Sequence, residues 1–294
     1  MKISLFIDGD WIVYAAGFAG QKTEYCSPGI SDVFPTLTEL AVYVTGNPDA
    51  RPKDLPEDFP VFSRIVPDPI DHVLHSAKLM LNKAADRVEK KWGMEVSSLI
   101  LLDGPGNFRE KVATIKPYKG NRTTPRPVYY QEIREYLMTK HGASLVYDEE
   151  TDDRLAQLAT SSLRRGGRPV ICCVDKDLLQ VPGWHFNPNK GFKKISPEEG
   201  ELRLYRQAAT GDTVDNIGGA YKVGPAKAKE AITERMSEAE KWTVLVSLYR
   251  ESINKHGPEP YGGLSAEEAA LENMRLVYLK REPREGLWLP PGVR

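Results

Sequence analysis

The sequence predicts an α/β fold with a mostly parallel sheet and helices on both faces. Two observations predict it: short apolar runs that end in an acid recur along the chain, and amphipathic helical patterns separate them. The runs are KISLFID, SSLILLD, ASLVYD and RPVICCVD, and the helical patterns cover residues 71–92, 129–141 and 151–165. Because parallel strands end at one edge of a sheet, we expect Asp8, Asp103 and Asp175 to meet there.

The 294-residue chain changes pattern along its length. Residues 1–195 are interpreted as an α/β core, in which residues 21–69 carry most of the Pro and Gly turn signals and form an insertion. Residues 116–149 are a basic region with one helical pattern. After a hairpin signal in FNPNKGFKKIS, residues 196–294 are mainly helical and end in a Pro-rich, extended tail.

Composition indicates a globular protein, with 40% hydrophobic and 28% charged residues. No apolar run approaches the roughly 20 residues that cross a bilayer, so no membrane role is expected. The start turns acidic after one short hydrophobic stretch, which predicts a cytoplasmic location. The three cysteines lack the spacing of a zinc site or a disulfide framework, and Cys172 and Cys173 are interpreted as strand residues.

The net charge of −1 conceals a segregation of bases and acids. Between residues 104 and 140 the basic side chains far outnumber the acidic ones. The segment DEETDD then places five acids in six positions at the start of a helical pattern. A helix N-terminus favours one or two acids, but repulsion grows with each one added. A basic strip beside an acidic cluster suits a polyanion held against metal ions.

Strand ends and acidic turns together supply a set of carboxylates that could share metal ions. Any one of them could equally cap a helix or a turn. No His or Cys accompanies them at ligand spacing, and carboxylate oxygens select Mg²⁺ or Mn²⁺ over zinc. Two such ions are the usual device for cutting a phosphodiester. The candidate ligands are Asp8, Asp103, Glu150, Asp152, Asp153, Asp175, Asp177, Asp212 and Asp215.

Six motifs in order resemble those of the flap endonuclease and 5′→3′ exonuclease superfamily: FIDGDW, LLDGPGNFRE, PYKGNR, EETDD, VDKDLLQ and GDTVDNIGG. The short spacing from PYKGNR to EETDD, the DGDW start and the chain length look most like the double-stranded DNA exonucleases of T7-type bacteriophages. The resemblance covers about residues 2–230. It implies a 5′ nuclease or PIN-like fold with a short helical arch, and a helix-hairpin-helix element in NIGGAYKVGPAKAKEAI.

The resemblance also implies roles for individual residues. Asp8, Asp103, Glu150 and Asp152, with Asp153 beside them, match the ligands of a first metal ion, and Asp175, Asp177, Asp212 and Asp215 those of a second. Lys119, Arg122 and Asp175 are the implied catalytic groups. The implied DNA contacts are Arg109, Lys116, Tyr118, Lys119, Arg122, Arg126, Lys222, Gly224 and Lys227. Two Mg²⁺ or Mn²⁺ ions are the implied cofactors, with K⁺ at the hairpin turn.

The predicted function is metal-dependent 5′→3′ hydrolysis of duplex DNA from free, nicked or flapped 5′ ends, with RNA–DNA hybrids as further substrates. The protein is expected to act as a monomer, in the bacterial host cytoplasm if it comes from a phage. Two departures from the family pattern stand out: Gly218 replaces a usual proline, and the short arch suits blunt or recessed ends at least as well as long flaps.

Two alternatives use the same residues. A haloacid-dehalogenase-like phosphatase would explain DGD and GDTVD, but it leaves EETDD, VDKD and PYKGNR unexplained and meets Ile12 where threonine is common. A DNA-end-binding protein without catalysis would share the fold. Loss of metal ligands would favour that second alternative, and none of the predicted ligands is missing.

Overall fold

The computed structural model describes residues 2–293. In chain order its strands are β1 (Ile3–Asp8), β2 (Gln21–Cys26), β3 (Phe62–Pro67), β4 (Val96–Asp103), β5 (Ser144–Val146), β6 (Pro169–Cys172), β7 (Gly183–Asn187) and β8 (Gly191–Ile195). Its helices are α1 (Asp10–Ala19), α2 (Leu37–Thr45), α3 (Ile70–Trp92), α4 (Arg109–Val112), α5 (Tyr130–His141), α6 (Thr151–Arg164), α7 (Pro197–Thr210), α8 (Pro225–Ala231), α9 (Glu238–His256) and α10 (Ala266–Val277).

The main sheet has the strand order β5-β4-β1-β6-β7-β8. In this order the first five strands pair in parallel, and β8 pairs antiparallel to β7. Asp8 at the end of β1 pairs in register with Leu101 of β4. The predicted mostly parallel sheet is therefore confirmed, and the predicted hairpin in FNPNKGFKKIS is the β7–β8 pair. The three helical patterns become α3, α5 and α6 within one residue at each end.

One face of the sheet packs against α6, because apolar side chains alternate along the strands. Phe6, Leu101 and Ile171 share a buried cluster with Leu155 and Ala156 of α6. Burying each large apolar side chain contributes about 1.5–3 kcal/mol. A second cluster joins α7, α9 and α10, with Tyr205, Tyr249 and Trp288 among its members.

The described chain forms two compact units. The first comprises Met1–Asp10, Ala84–Thr124 and His141–Arg294, so the main sheet and the helices after residue 196 belong to one unit. All nine predicted carboxylate ligands lie in it. The two compact units do not divide at the predicted boundary near residue 195. That boundary, as a division between a nuclease core and a DNA-binding region, stays a prediction.

The second unit comprises Trp11–Lys83 and Pro125–Lys140. Its insertion, interpreted from sequence as irregular, contains the antiparallel pair β2–β3 and helix α2. The Thr36 hydroxyl accepts a hydrogen bond from the Glu39 amide at 3.1 Å and caps α2. These elements are short and are flanked by turn residues, so hydrophobic periodicity in the sequence does not predict them.

Among residues 2–293 no helix combines the length and the apolar character that membrane crossing requires.

Candidate active site

The ends of β1 and β4 meet at a turn that only glycine permits. The Gly9 amide donates to the Leu101 carbonyl at 2.7 Å, and a Cβ at Gly9 would lie 2.8 Å from that oxygen. Asp8 Oδ1 accepts from the Asp10 amide at 2.9 Å, and Asp10 Oδ2 accepts from the Asp103 amide at 2.6 Å. The carboxylates of two strands are thereby fixed at one edge of the sheet, as predicted for Asp8 and Asp103.

A three-residue cluster lies beside this turn. Ligand atoms of Asp8, Asp152 and Cys173 all lie within 4.8 Å of one another. Asp152 comes from the first turn of α6, and the Cys173 thiol donates to Asp8 Oδ2 at 3.2 Å. Burial raises the pKa of the Cys173 thiol well above its usual value, so the group is a neutral donor here.

The two carboxylates of this cluster are held under repulsion. Burial, and then the charges of Asp10 and Asp103, raise the pKa of Asp8 to about 7. Burial, followed by the charges of Asp8 and Asp175, raises the pKa of Asp152 well above its usual range. Acids placed this way disfavour their own ionised forms unless a cation lies between them.

A second group of acids follows β6. The Asp177 amide donates to Asp175 Oδ1 at 2.8 Å, and burial, then the charges of Asp175 and Asp212, raise the pKa of Asp177 to about 7. Asp212 is buried, and Lys176 Nζ lies 3.0 Å from its Oδ2. Burial works against ionisation of Asp212, but the hydrogen bond from Lys176 and backbone N–H groups prevail and lower its pKa.

The PYKGNR residues lie directly against two further acids, Glu150 and Asp215. The Tyr118 hydroxyl oxygen is 2.9 Å from both Glu150 Oε2 and Asp215 Oδ2. Lys119 Nζ donates to Glu150, and Arg122 Nη2 donates to Asp215 Oδ1 at 2.8 Å. Burial opposes ionisation of Glu150, but the charges of Arg109 and Lys119 outweigh it and lower the pKa of Glu150. The structure thus brings Tyr118, Lys119 and Arg122 to the acidic edge.

Arg109 and Asp153 depart from their implied roles. Arg109 donates to Asp153 at 2.5 and 3.0 Å, and the two side chains are 1% and 0% exposed. A guanidinium enclosed in this way does not face solvent, so Arg109 leaves the set of DNA contacts. Asp153 Oδ1 also accepts from the Lys280 amide at 2.9 Å, so Asp153 leaves the set of metal ligands. The reason is burial: the two charges compensate each other inside the fold.

Two implied DNA contacts, Lys116 and Lys222, line one cleft at the turn between α7 and α8. Lys116, Gly218, Gly219, Tyr221 and Lys222 are among the residues around a cavity of about 480 Å³. Gly219 has φ 63°, and a Cβ there would lie 2.3 Å from the Gly211 amide nitrogen. Elsewhere, Gly224 is the exposed N-cap of α8, Lys227 pairs with Glu251 at 3.0 Å, and Arg126 lies in the second unit, 4.4 Å from the centroid of the Tyr130 ring.

The acidic edge fits divalent cations. Its donors are carboxylate oxygens, which are hard ligands of the kind that Mg²⁺ and Mn²⁺ prefer. Burial and repulsion between neighbouring acids raise the pKa values of Asp8, Asp152 and Asp177, and a bound cation would favour their ionised forms. Compensating so many clustered acids requires more charge than Lys119, Arg122 and Lys176 supply.

Two residues at this edge were missed from sequence. Asp10 bridges the ends of β1 and β4, and its signal was the second acid of the DGD motif. Cys173 was interpreted as a strand residue only, although a thiol within two positions of Asp175 faces the same strand end. Apolar neighbours in VICCVD concealed that orientation.

Comparison with known proteins agrees with this geometry. No family model matches the chain. The flap endonuclease Xni of Shewanella pealeana is 29% identical over 206 residues, which cover 65% of this chain and 77% of that protein. Xni of Shewanella piezotolerans is 32% identical over 113 residues, covering 34% of this chain and 44% of that protein. The bacteriophage T5 5′-exonuclease with bound zinc has a TM-score of 0.56 at 15% identity, covering 94% of this chain and 89% of that one.

The chain is thus similar in sequence to flap endonucleases, and it shares the fold of the T5 5′-exonuclease. A structure of the T5 flap endonuclease with DNA and metal ions also matches, with a TM-score of 0.54 and 13% identity over 94% of this chain and 89% of that chain. The α/β fold expected from the resemblance is therefore confirmed. The finer likeness to the exonucleases of T7-type phages stays a prediction.

Proposed function

We propose that this protein is a divalent-metal-dependent 5′→3′ nuclease that hydrolyses phosphodiester bonds at the 5′ ends of duplex DNA. The observation that carries the proposal is the half-buried acidic cluster at the sheet edge, together with Lys119 and Arg122 on the neighbouring acids Glu150 and Asp215. Similarity to flap endonucleases and to 5′-exonucleases supports the same activity.

The sheet edge would hold the metal ions. Asp8, Asp103, Glu150 and Asp152 are the candidate ligands of one ion, and Asp175, Asp177, Asp212 and Asp215 those of the other, with Asp153 removed from the predicted set. When bound, a pair of divalent ions supplies water activation and positive charge at the leaving oxygen. We propose Mg²⁺, with Mn²⁺ as a substitute, because all eight ligands are hard carboxylates.

The basic side chains of the PYKGNR segment bind and orient the substrate. Lys119 and Arg122 now bind Glu150 and Asp215, and a phosphate group can replace those carboxylates as their partner. Arg122 offers a planar fork that matches two phosphate oxygens, whereas Lys119 offers a point charge. Tyr118 stays protonated, because burial and then the Glu150 charge raise its pKa. Its ring is a candidate platform for the terminal base.

Duplex DNA would extend from this edge to the cleft at the α7–α8 turn. Lys116 and Lys222 line that cleft, and both are exposed. Their charges attract the phosphate backbone without reading its sequence. We further propose that the backbone carbonyls of the turn hold a K⁺ ion. The protein is proposed to act as a monomer in the cytoplasm, where DNA with nicked or flapped 5′ ends arises.

Cleavage of a blunt duplex labelled at one 5′ end, beside the same duplex labelled at a 3′ end, tests the proposal. With Mg²⁺ we expect short labelled products from the 5′ label first, and none with EDTA. Asp175→Asn should abolish them, whereas Glu198→Gln, which removes an exposed acid of α7, should not. Nicked, flapped and RNA-primed duplexes in parallel rank the substrates. If the protein binds these duplexes and cleaves none of them, the end-binding alternative is correct.

A further inference from the structure

Two consecutive polar residues of α10 are buried and serve different loops. Glu272 is 7% exposed and Asn273 is 3% exposed. Both lie beyond the part of the chain that the family motifs cover, and neither is a candidate ligand or DNA contact. Because a buried polar group costs free energy unless it is paired, what each one binds indicates its purpose.

Glu272 holds the start of the segment that carries the basic motif. Its Oε1 accepts from the amides of Thr114 and Ile115, both at 2.8 Å, and its Oε2 accepts from the Thr114 hydroxyl. One carboxylate therefore satisfies three donors of two adjacent residues. Lys119 lies only four residues further along, so the carboxylate fixes where the Lys119 backbone begins its approach to the acidic edge.

Asn273 holds the turn that lines the basic cleft. Its Oδ1 accepts from the Gly219 amide at 3.0 Å, and its Nδ2 donates to the Ala269 carbonyl of its own helix at 2.8 Å. The second bond locks the amide group, so the first one fixes Gly219. A side chain at position 219 would collide with the backbone of Thr210 and Gly211, which leaves that turn little freedom to move elsewhere.

The two loops are also fastened to each other. The Lys119 amide donates to the Asp215 carbonyl at 2.9 Å, and the Asn216 side chain donates to the Pro117 carbonyl at 2.9 Å. Consecutive helix positions lie about 100° apart around the axis, so one rigid helix can reach two loops at once. The segment at the acidic edge and the turn at the cleft consequently share one support.

We propose that Glu272 and Asn273 are positioning residues that fix the distance between the cleavage site and the turn that holds the duplex. In this way they set where along the 5′ strand the first cut falls. This inference rests on the proposed function, since it concerns the same site. Helix α10 would then help to select the cut site, in addition to packing in the helical core.

Single-turnover cleavage of a 5′-labelled duplex, with the first-cut position read from the labelled product, tests the inference. Misplacement of the catalytic loop should slow cleavage by about 10–100-fold in Glu272→Ala and Asn273→Ala. In both variants the first cuts should spread over neighbouring positions, whereas the unaltered protein should favour one. Glu272→Gln should restore the single position, because its amide oxygen still accepts from both N–H groups and its NH₂ group can donate to Thr114.

Tyr249→Phe is the matched control. Tyr249 is buried, and its hydroxyl donates to the Ala208 carbonyl at 2.7 Å, so the variant loses a buried hydrogen bond in the same helical cluster and keeps the hydrogen bonds of Glu272 and Asn273 to the two loops. It should keep the original cut position even where it unfolds at a lower temperature. A spread in this control equal to that of Asn273→Ala would overturn the inference.

Amide hydrogen exchange gives a readout without DNA or metal. Exchange at Thr114 and Ile115 should quicken in Glu272→Ala, and exchange at Gly219 in Asn273→Ala. Faster exchange with an unchanged cut position would overturn the inference while the proposed function stands. No cleavage by the unaltered protein would instead overturn the proposed function. If Glu272→Ala does not fold, Thr114→Val, which removes only the hydroxyl contact, should still widen the cut distribution, and no widening there would contradict the inference.

Discussion

Arg109 binds Asp153 through two parallel hydrogen bonds in a pair that is closed to solvent. The same guanidinium donates to the carbonyls of Leu276 and Tyr278, each at 2.8 Å. The pair thus joins the start of α6 to the end of α10. Charges that a sequence motif assigns to DNA and metal are used here to hold the fold around the site.

Breaking this pair should destabilise the protein. We expect Arg109→Met to lower the free energy of unfolding by about 3–5 kcal/mol, because the Asp153 carboxylate then stays buried without its charged partner. Denaturant unfolding with a common m-value measures the change. An effect below about 1 kcal/mol, which is typical of exposed pairs, would contradict the burial of this pair.

The metal-free protein should lose stability as the pH rises through 7. The pKa values of Asp8 and Asp177 are each raised to about 7 in the fold, so their favourable contribution is fully present below their unfolded pKa near 4 and is lost above 7. With EDTA, Asp8→Asn should therefore raise the melting temperature at pH 8 and leave it nearly unchanged at pH 4.

Mg²⁺ supplies the control for that pH effect. Because bound cations stabilise the ionised carboxylates, saturating Mg²⁺ should flatten the decline of the unaltered protein between pH 5 and pH 8, pH values on either side of the raised pKa values. A melting temperature that rises with pH in EDTA would show that the acids do not repel one another in the fold.

Removing Lys119 or Arg122 should weaken the dependence of DNA affinity on salt concentration. Each lysine or arginine that neutralises a phosphate contributes about 0.9 to the slope of log affinity against log salt. We expect Lys119→Ala and Arg122→Ala each to reduce that slope by about this amount, measured with Ca²⁺ in place of Mg²⁺. Lys193→Ala, which removes a lysine paired with Glu199 at 2.7 Å, is the matched control and should leave the slope unchanged.

The strands and helices that have regular hydrophobic patterns could be predicted from the sequence. Apolar runs ending in Asp8 and Asp103 marked the ends of β1 and β4, because a central parallel strand is buried on both faces, whereas Asp175 lies three residues beyond the end of β6. Helices α3, α5 and α6 were equally regular. The β2–β3 pair was not predicted, because its half-exposed residues alternate weakly among turn residues.

The residue types of the site could be predicted from the sequence, but the contacts between the individual residues could not. Lys119 and Glu150 were both selected, yet only the fold shows them in contact. Arg109 was predicted as a DNA contact and Asp153 as a metal ligand, and their buried pair was not foreseen because spacing along a chain does not reveal burial. Glu272 and Asn273 gave no signal at all, since polar residues within an amphipathic helix ordinarily face water.

Cys173 should react slowly despite its place at the site. Burial raises the pKa of its thiol and keeps the thiolate population low, while Cys26 is partly exposed. Mass-resolved alkylation at pH 8 should label Cys26 first and Cys173 only as the protein unfolds. Labelling of Cys173 at the rate of Cys26 would contradict the burial of this thiol.

The central claim, that the acidic sheet edge is a divalent-metal centre, is tested most directly by counting bound ions. Equilibrium titration with Mn²⁺, followed by the electron paramagnetic resonance signal of the free ion, gives the number held per chain. We expect two ions in the unaltered protein and in the surface control Glu198→Gln, and fewer in Asp8→Asn and Asp175→Asn. No bound Mn²⁺, or the same number in all four proteins, would contradict the claim.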